Sequence, residues 1–369
     1  MKTQPDDLLP IGLRDRLPAA AANASAVEQA ALGVMHSHGY DRVRPPLMEF
    51  ETSLAGRMDG VSTRRMVRFT DPASLRTIAL RSDMTPQVGR IAATAMAEAP
   101  RPLRVCYAGD VARLAADQLS PERQSLQIGA ELVGSDGAAA AGEIVAVAIA
   151  ALEAGGAQGI SVDFTLPDLV DILSAKALPL EAGQVDAVRR ELDTKDAGGL
   201  RDAGGADYLP LLYSSGPFEE AIDKLAAIDA GGALASRIEG LRQIAARVEG
   251  HARVTLDPTE RHGFEYQTWF GFTLYAEGVR GALGRGGTYR IGGTDEAASG
   301  VSLYVDGLID SLPEAVNGKV LFLPLSHDAM RAEALRGEGW RTVAAVSDQD
   351  DATSLGASHV LQGGAPVAL

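Results

Sequence analysis

Two segments that alternate apolar and polar residues, joined by a polar connection containing Pro121, fill the stretch from Leu103 to Gly134. Alternation with a period of two is a strand signal, and two such strands with one connection read as an antiparallel hairpin with a long loop. In the second arm Leu126, Ile128, Ala130 and Leu132 point one way, so Ser125, Gln127, Gly129 and Glu131 point the other. That second row carries an amide and a carboxylate beside a glycine. On an ordinary antiparallel sheet it is the wet face, so the rest of the chain decides whether it is also a site.

From the N-terminus, a polar arm leads to Pro18, which starts an Ala-rich helix with Val27, Ala31, Val34 and Met35 on one stripe, stopped at Gly39. In the extended segment that follows, Pro45 and Pro46 forbid a central place in a ladder and point to a sheet edge or an interface. A hairpin-like section from Arg65 to Leu80 precedes Thr85-Pro86, a helix start whose buried stripe is Val88, Ile91, Ala95 and Met96. Thr85 is thus either an N-cap or a ligand group. Beyond the central hairpin come an apolar helix ended by Gly155 and a strand with Ile160, Val162 and Phe164 in phase. From about Asp168 to His251 the texture is helical, charged and Gly-punctuated, which reads as a helical insertion. Strands return between Phe264 and Gly278, followed by a Gly-rich turn at 284–293, a strand at 299–305 and a helix at 306–312. A linker at 313–318 leads to a small α/β appendage over 319–369. The expected architecture is α/β (α+β), an antiparallel sheet flanked by helices in a domain spanning 1–312.

Several function classes are disfavoured by composition. With 34 Lys+Arg against 49 Asp+Glu the chain carries −15, the wrong sign for a phosphate-binding surface, so no nucleic acid is expected as partner. The single cysteine, Cys106, sits mid-strand in an apolar setting and reads as packing. The first residues have no signal-peptide core and no apolar run reaches spanning length, so a cytoplasmic chain without membrane contact is expected. The Gly-rich stretch lacks G-x-G-x-x-G and no P-loop occurs, while the six histidines show no zinc spacing. No serine-hydrolase elbow is present, and no metal or cofactor is expected.

The order of these elements and the residues in them resemble the class II aminoacyl-tRNA synthetases, and the histidyl-tRNA synthetase core in particular. The segment Arg42–Phe50 looks like the first class-defining motif, with Pro46 at its interface position. Cys106–Leu119 with Gln124–Gly134 looks like the second motif, and Ser299–Leu312 occupies the place of the third. Leu80–Thr85 is similar to the family's Leu-Arg-Pro-Glu-Gly-Thr, which binds the amino acid. His262–Phe270 is similar to the histidine-specific Arg-Gly-Leu-Asp-Tyr-Tyr. The resemblance runs roughly from Leu8 to Leu312 and is specific in combination.

Carried over residue by residue, the resemblance implies that Asp83 and Glu131 receive the ammonium of bound L-histidine and that Thr85 and Gln127 add hydrogen bonds. It also implies that Tyr289 lines the imidazole pocket together with Tyr266, while Gln267 stands where the family has its second tyrosine. Arg113 falls on the second motif's arginine, but the acidic residue two positions on is Ala115. The third motif's Glu-Arg pair becomes Asp306-Gly307, which removes the arginine that would hold ATP, and the arginine of the histidine-specific segment becomes His262 beside Arg261. A neutral glycine cannot replace a guanidinium. The tail is too short and acidic for a full anticodon-binding domain. Loss of the ATP half with retention of the amino-acid half resembles the regulatory-subunit family of ATP phosphoribosyltransferase, paralogues of the synthetase that pair with a short catalytic subunit at the first step of histidine biosynthesis. That resemblance implies a chain that is no enzyme by itself, a homodimer within a hetero-oligomer, activation of the partner and feedback by histidine. An active histidyl-tRNA synthetase, or another adenylating ligase with a divergent third motif, is the alternative; a scaffold that binds a partner and senses nothing is a third.

Overall fold

The computed structural model describes residues 9–55, 66–115, 122–261, 266–314 and 318–369. The chain divides into two compact units, Met1–Leu312 and Pro313–Leu369. His262 and most of the hairpin connection lie outside the described residues.

The first unit opens with α1 (Pro18–Ser37), begun by a proline whose fixed φ suits the first helical position and followed by Gly39 at φ +83°. Its buried face is Ala24, Val27, Ala31, Leu32 and Met35. Strand β1 (Asp41–Arg42) follows, then β2 (Met48–Phe50), α2 (Glu51–Ala55), β3 (Arg68–Thr70) and β4 (Thr77–Leu80), of which β2, β4 and β3 form a small antiparallel sheet. Pro45 and Pro46 fall between β1 and β2, outside both ladders. Helix α3 (Thr85–Ala93) is shorter than its sequence stripe: it stops at Thr94, Ala95 is exposed, and of Val88, Ile91, Ala95 and Met96 Val88 is the one that is fully buried.

The central hairpin is β5 (Leu103–Ala112) and β6 (Gln124–Val133), paired from Leu103↔Val133 to Ala112↔Gln124. After it come α4 (Ala138–Ala154) and β7 (Ser161–Thr165). Residues 168–251 are then largely helical, with α5 (Leu169–Lys176), α6 (Val185–Asp193), α7 (Ala197–Asp202), the two-residue β8 (Gly216–Pro217), α8 (Phe218–Ile228) and α9 (Ala235–Arg247). Strands β9 (Arg253–Leu256), β10 (Gln267–Tyr275), β11 (Gly284–Ile291) and β12 (Glu296–Tyr304) and the short helix α10 (Asp306–Ser311) complete the unit.

Nine strands form one sheet in the order β1-β5-β6-β12-β11-β10-β7-β9-β8. The six strands from β5 to β7 are mutually antiparallel as expected, but β1 on β5 and β9 on β7 are parallel, so the sheet is mixed. The larger correction concerns the Gly-rich stretch: it is β11, a central strand, and not a turn. Glycine is a poor strand former, yet here it is required, because a Cβ on Gly286 would stand 2.4 Å from the carbonyl oxygen of Gly300 and 2.5 Å from the Phe272 ring.

Helices α1, α4 and α9 cover one face, where Leu126, Ile128, Ala130, Leu132 and Cys106 join Ile144, Val145, Phe164 and Phe270 in the main core. Fully burying side chains of this size contributes roughly 1.5–3 kcal/mol each. The other face is partly covered by α3, with Met84 and Val88 packed on Val105, Tyr107 and Tyr289. The Gln127–Glu131 row is therefore not a wet face: Gln127 is 0% and Glu131 1% exposed.

The second unit is a four-stranded sheet, in the order β14 (Arg341–Ala344), β13 (Val320–Leu323), β15 (His359–Gln362) and β16 (Ala365–Ala368). Helix α11 (Ala329–Gly337), N-capped by Asp328, places Ala332 and Leu335 on Leu321, Leu323 and Leu361. No helix among the described residues is long and apolar enough to cross a membrane.

Candidate functional site

The site lies where the α3 face of the sheet loses its side chains. Glu131 on β6 pairs with Gly300 on β12, Gly300 with Gly287 on β11, and Gly287 with Gly271 on β10. Of these glycines, Gly287 and Gly300 border a small trough at the foot of Glu131, together with Thr85, Tyr266, Gln267, Arg285, Tyr289 and Ser302. The fit is tight, since a Cβ on Gly300 would stand 1.6 Å from Glu131 Oε2.

A continuous hydrogen-bond network frames the trough. The hydroxyls of Tyr107 and Tyr289 donate to Glu131 Oε1 at 3.0 Å and Oε2 at 2.8 Å. The Tyr107 hydroxyl also lies 3.1 Å from Thr85 Oγ1 and 3.3 Å from Ser302 Oγ. Gln127 Nε2 donates to Ser302 Oγ at 2.8 Å and to Asp83 Oδ1 at 2.9 Å, and Gln127 Oε1 accepts the Met84 N–H at 2.9 Å. Asp83 Oδ1 in turn accepts the Thr85 N–H at 2.8 Å. Thr85 is thus the first residue of α3 and not a side-chain N-cap; its hydroxyl is turned to Tyr107 and Ser302.

Burial dominates the electrostatics. It pushes the Glu131 carboxyl up to about 8, with the Tyr289 and Tyr107 hydroxyls opposing the rise and Asp83 adding to it. Burial next to Glu131 pushes both tyrosines well up, and Tyr266 rises by burial and the nearby Asp83. All three stay protonated at neutral pH, the form in which a phenol donates. Two carboxyl groups, an amide and hydroxyls around a small trough form a receptor for a compact cationic group, whose charge favours the ionised form of Glu131 and strengthens the hydrogen bonds it makes. No group of three or more His, Cys, Asp or Glu side chains among the described residues is placed to hold a metal.

Of the seven residues singled out in the sequence, Asp83, Thr85, Gln127, Glu131 and Tyr289 are joined by this network, and Tyr266 packs edge-on against Tyr289 with ring centroids 6.1 Å apart. Arg113 stands apart: it does not line the trough and lies over the Tyr304 ring, 5.4 Å from its centroid. Gln267, in place of a second tyrosine, donates from Nε2 to the Gly286 carbonyl at 2.7 Å. Tyr107, Ser302 and Arg285 were missed. The first two alternate in phase with Glu131 and Gly300 on recognisable strands, whereas Arg285 was hidden in a stretch read as a turn.

At the third-motif position, Asp306 Oδ2 accepts the Leu126 N–H at 3.0 Å and Oδ1 pairs with Arg16 from the N-terminal arm. Gly307 follows with no cationic side chain to offer. The Asp306 carboxylate is thus tied to the N-terminal arm.

A family model described as "Histidyl-tRNA synthetase" matches residues 12–308. A protein of Rhodospirillum centenum called "ATP phosphoribosyltransferase regulatory subunit" is 39% identical over 97% of this chain and 95% of its own length. A protein of the same description from Paramagnetospirillum magneticum is 40% identical over 96% of each chain. Among solved structures, one described as an ATP phosphoribosyltransferase regulatory subunit/histidyl-tRNA synthetase from Bacillus halodurans C superposes with a TM-score of 0.80 over 96% of this chain and 97% of that one; at 22% identity it shows the fold.

Proposed function

Because the chain belongs to the histidyl-tRNA synthetase family and, within it, to the ATP phosphoribosyltransferase regulatory subunits, we propose that it activates a short catalytic subunit and relays feedback inhibition when L-histidine fills the trough. Its place is the first step of histidine biosynthesis. The observation that carries this reading is the split between a complete polar receptor around Glu131 and a nucleotide side without its arginine, where Asp306 is tied to Arg16 and followed by Gly307. Adenylate formation depends on cations fixed on the phosphates; with that cation gone, the chain is no enzyme by itself. Asp83 and Glu131 receive the ammonium, Thr85 and Gln127 add hydrogen bonds, and Tyr266 and Tyr289 flank the side chain. Feedback then requires histidine to bind two states of the complex unequally, by a coupling of about 1–3 kcal/mol in typical allosteric systems.

The assembly is a homodimer of this chain within a hetero-oligomer, formed through the segment that carries Pro46. The test is phosphoribosyl-ATP formation by the purified short catalytic subunit, with and without this chain, across a histidine titration. Activity rises on adding the chain and falls as histidine is added. If the chain changes nothing, the regulatory reading fails, and histidine-dependent pyrophosphate exchange into ATP then tests for the ligase that the family model's description favours.

A further inference from the structure

We propose that Arg285 is the cation that receives the carboxylate of the bound amino acid, an inference that rests on the reading of the trough as a histidine site. A free amino acid brings two charges into the protein, and a carboxylate taken out of water without a partner is costly. The charged groups assigned so far answer the ammonium, and none of them answers the carboxylate. Among the described residues that border the trough, Arg285 supplies the cationic side chain. Arg113 is not among the residues that border it.

Register places Arg285 well for this role. Residues 285, 287 and 289 share one face of β11, so Arg285 stands on the trough side with Tyr289, separated from it along the strand by Gly287 alone. Its cross-strand neighbours are Ser302 and Thr273, both small, and Ser302 is the residue whose hydroxyl holds Gln127. Glu131 and Arg285 both border the trough, which therefore offers a carboxyl group and a guanidinium to a zwitterion. A guanidinium can grip a carboxylate through two parallel hydrogen bonds, which adds geometry to charge.

The same side chain also borders a second pocket with Asp163, Glu260 and Arg261. Arg285 therefore stands on the wall between the trough and an acidic pair, where a ligand carboxylate competes for its charge.

Calorimetry on the full chain with L-histidine and with histamine, which keeps the ring and the amine but has no carboxylate, separates the roles. The unaltered chain binds histidine more tightly than histamine. Arg285→Met weakens histidine by about 10- to 100-fold and leaves histamine unchanged, so the preference collapses. Equal losses for both ligands would assign Arg285 to the ring or to the fold and overturn the proposal, as would an unchanged histidine affinity. Should the methionine variant not fold, Arg285→Gln and Arg285→Lys are compared with the same ligands under the same criteria. Failure of the unaltered chain to bind histidine at all would remove the reading of the trough, and this inference with it.

Discussion

Glu131 is an acid kept from water by two phenols, and its titration has consequences for stability as well as binding. Its carboxyl, ordinarily near 4.5, is pushed up to about 8 in the fold. Between those values the folded chain holds a proton that the unfolded chain has released, so this group's contribution to stability falls as pH rises from about 4.5 to about 8 and is level above that. Glu131→Gln keeps the shape and removes the charge. Thermal melts of the unliganded variant should therefore lose that downward slope relative to the parent, and be relatively more stable at pH 8. The same variant should bind histidine about 10- to 100-fold more weakly, since a hydrogen bond to a charged group contributes roughly 1.5–3 kcal/mol. Calorimetry checks the second effect, and unchanged affinity would remove Glu131 from the amine site.

At the scale of elements, β5, β6, β7 and β12 were legible because alternating side chains are a direct record of a two-sided strand. Helices α1 and α4 were legible from their terminal Pro18 and Gly155. β11 was not, because three of its eight residues are glycines and two more are arginines. What makes them a strand is the approach of neighbouring backbones and rings, a tertiary fact with no local signature. The dryness of the Gln127–Glu131 row was hidden for a similar reason: the lid over it, α3, comes from a distant stretch of chain. Gly300→Ala tests the trough directly. The new methyl meets Oε2 of a carboxyl group whose two oxygens are each held by a tyrosine, so histidine binding should fall at least about 100-fold, with a loss of stability of about 1–3 kcal/mol from overpacking. Calorimetry and thermal melts read both effects, and a variant that binds normally would show that the trough yields.

At the scale of the whole molecule, Leu47, Met48 and Phe69 on and beside the β2-β4-β3 sheet are half-exposed, next to the prolines of the first motif. An exposed apolar group of this kind is a usual mark of an interface, and the proposed homodimer would bury it. Phe69→Glu should therefore shift the chain toward monomer in sedimentation, leaving histidine binding by the monomer intact, because Phe69 is not part of the trough; an unchanged mass would place the dimer contact elsewhere. The same molecule-wide view gives the glycine floor a historical meaning. Glycine is already the smallest residue, so every amino-acid replacement at positions 287 and 300 can only take space away. Mutation there has one direction: a lineage that inherits this floor can lose its small guest by filling the trough, but it cannot widen the berth for a bulkier one without rebuilding the strands themselves.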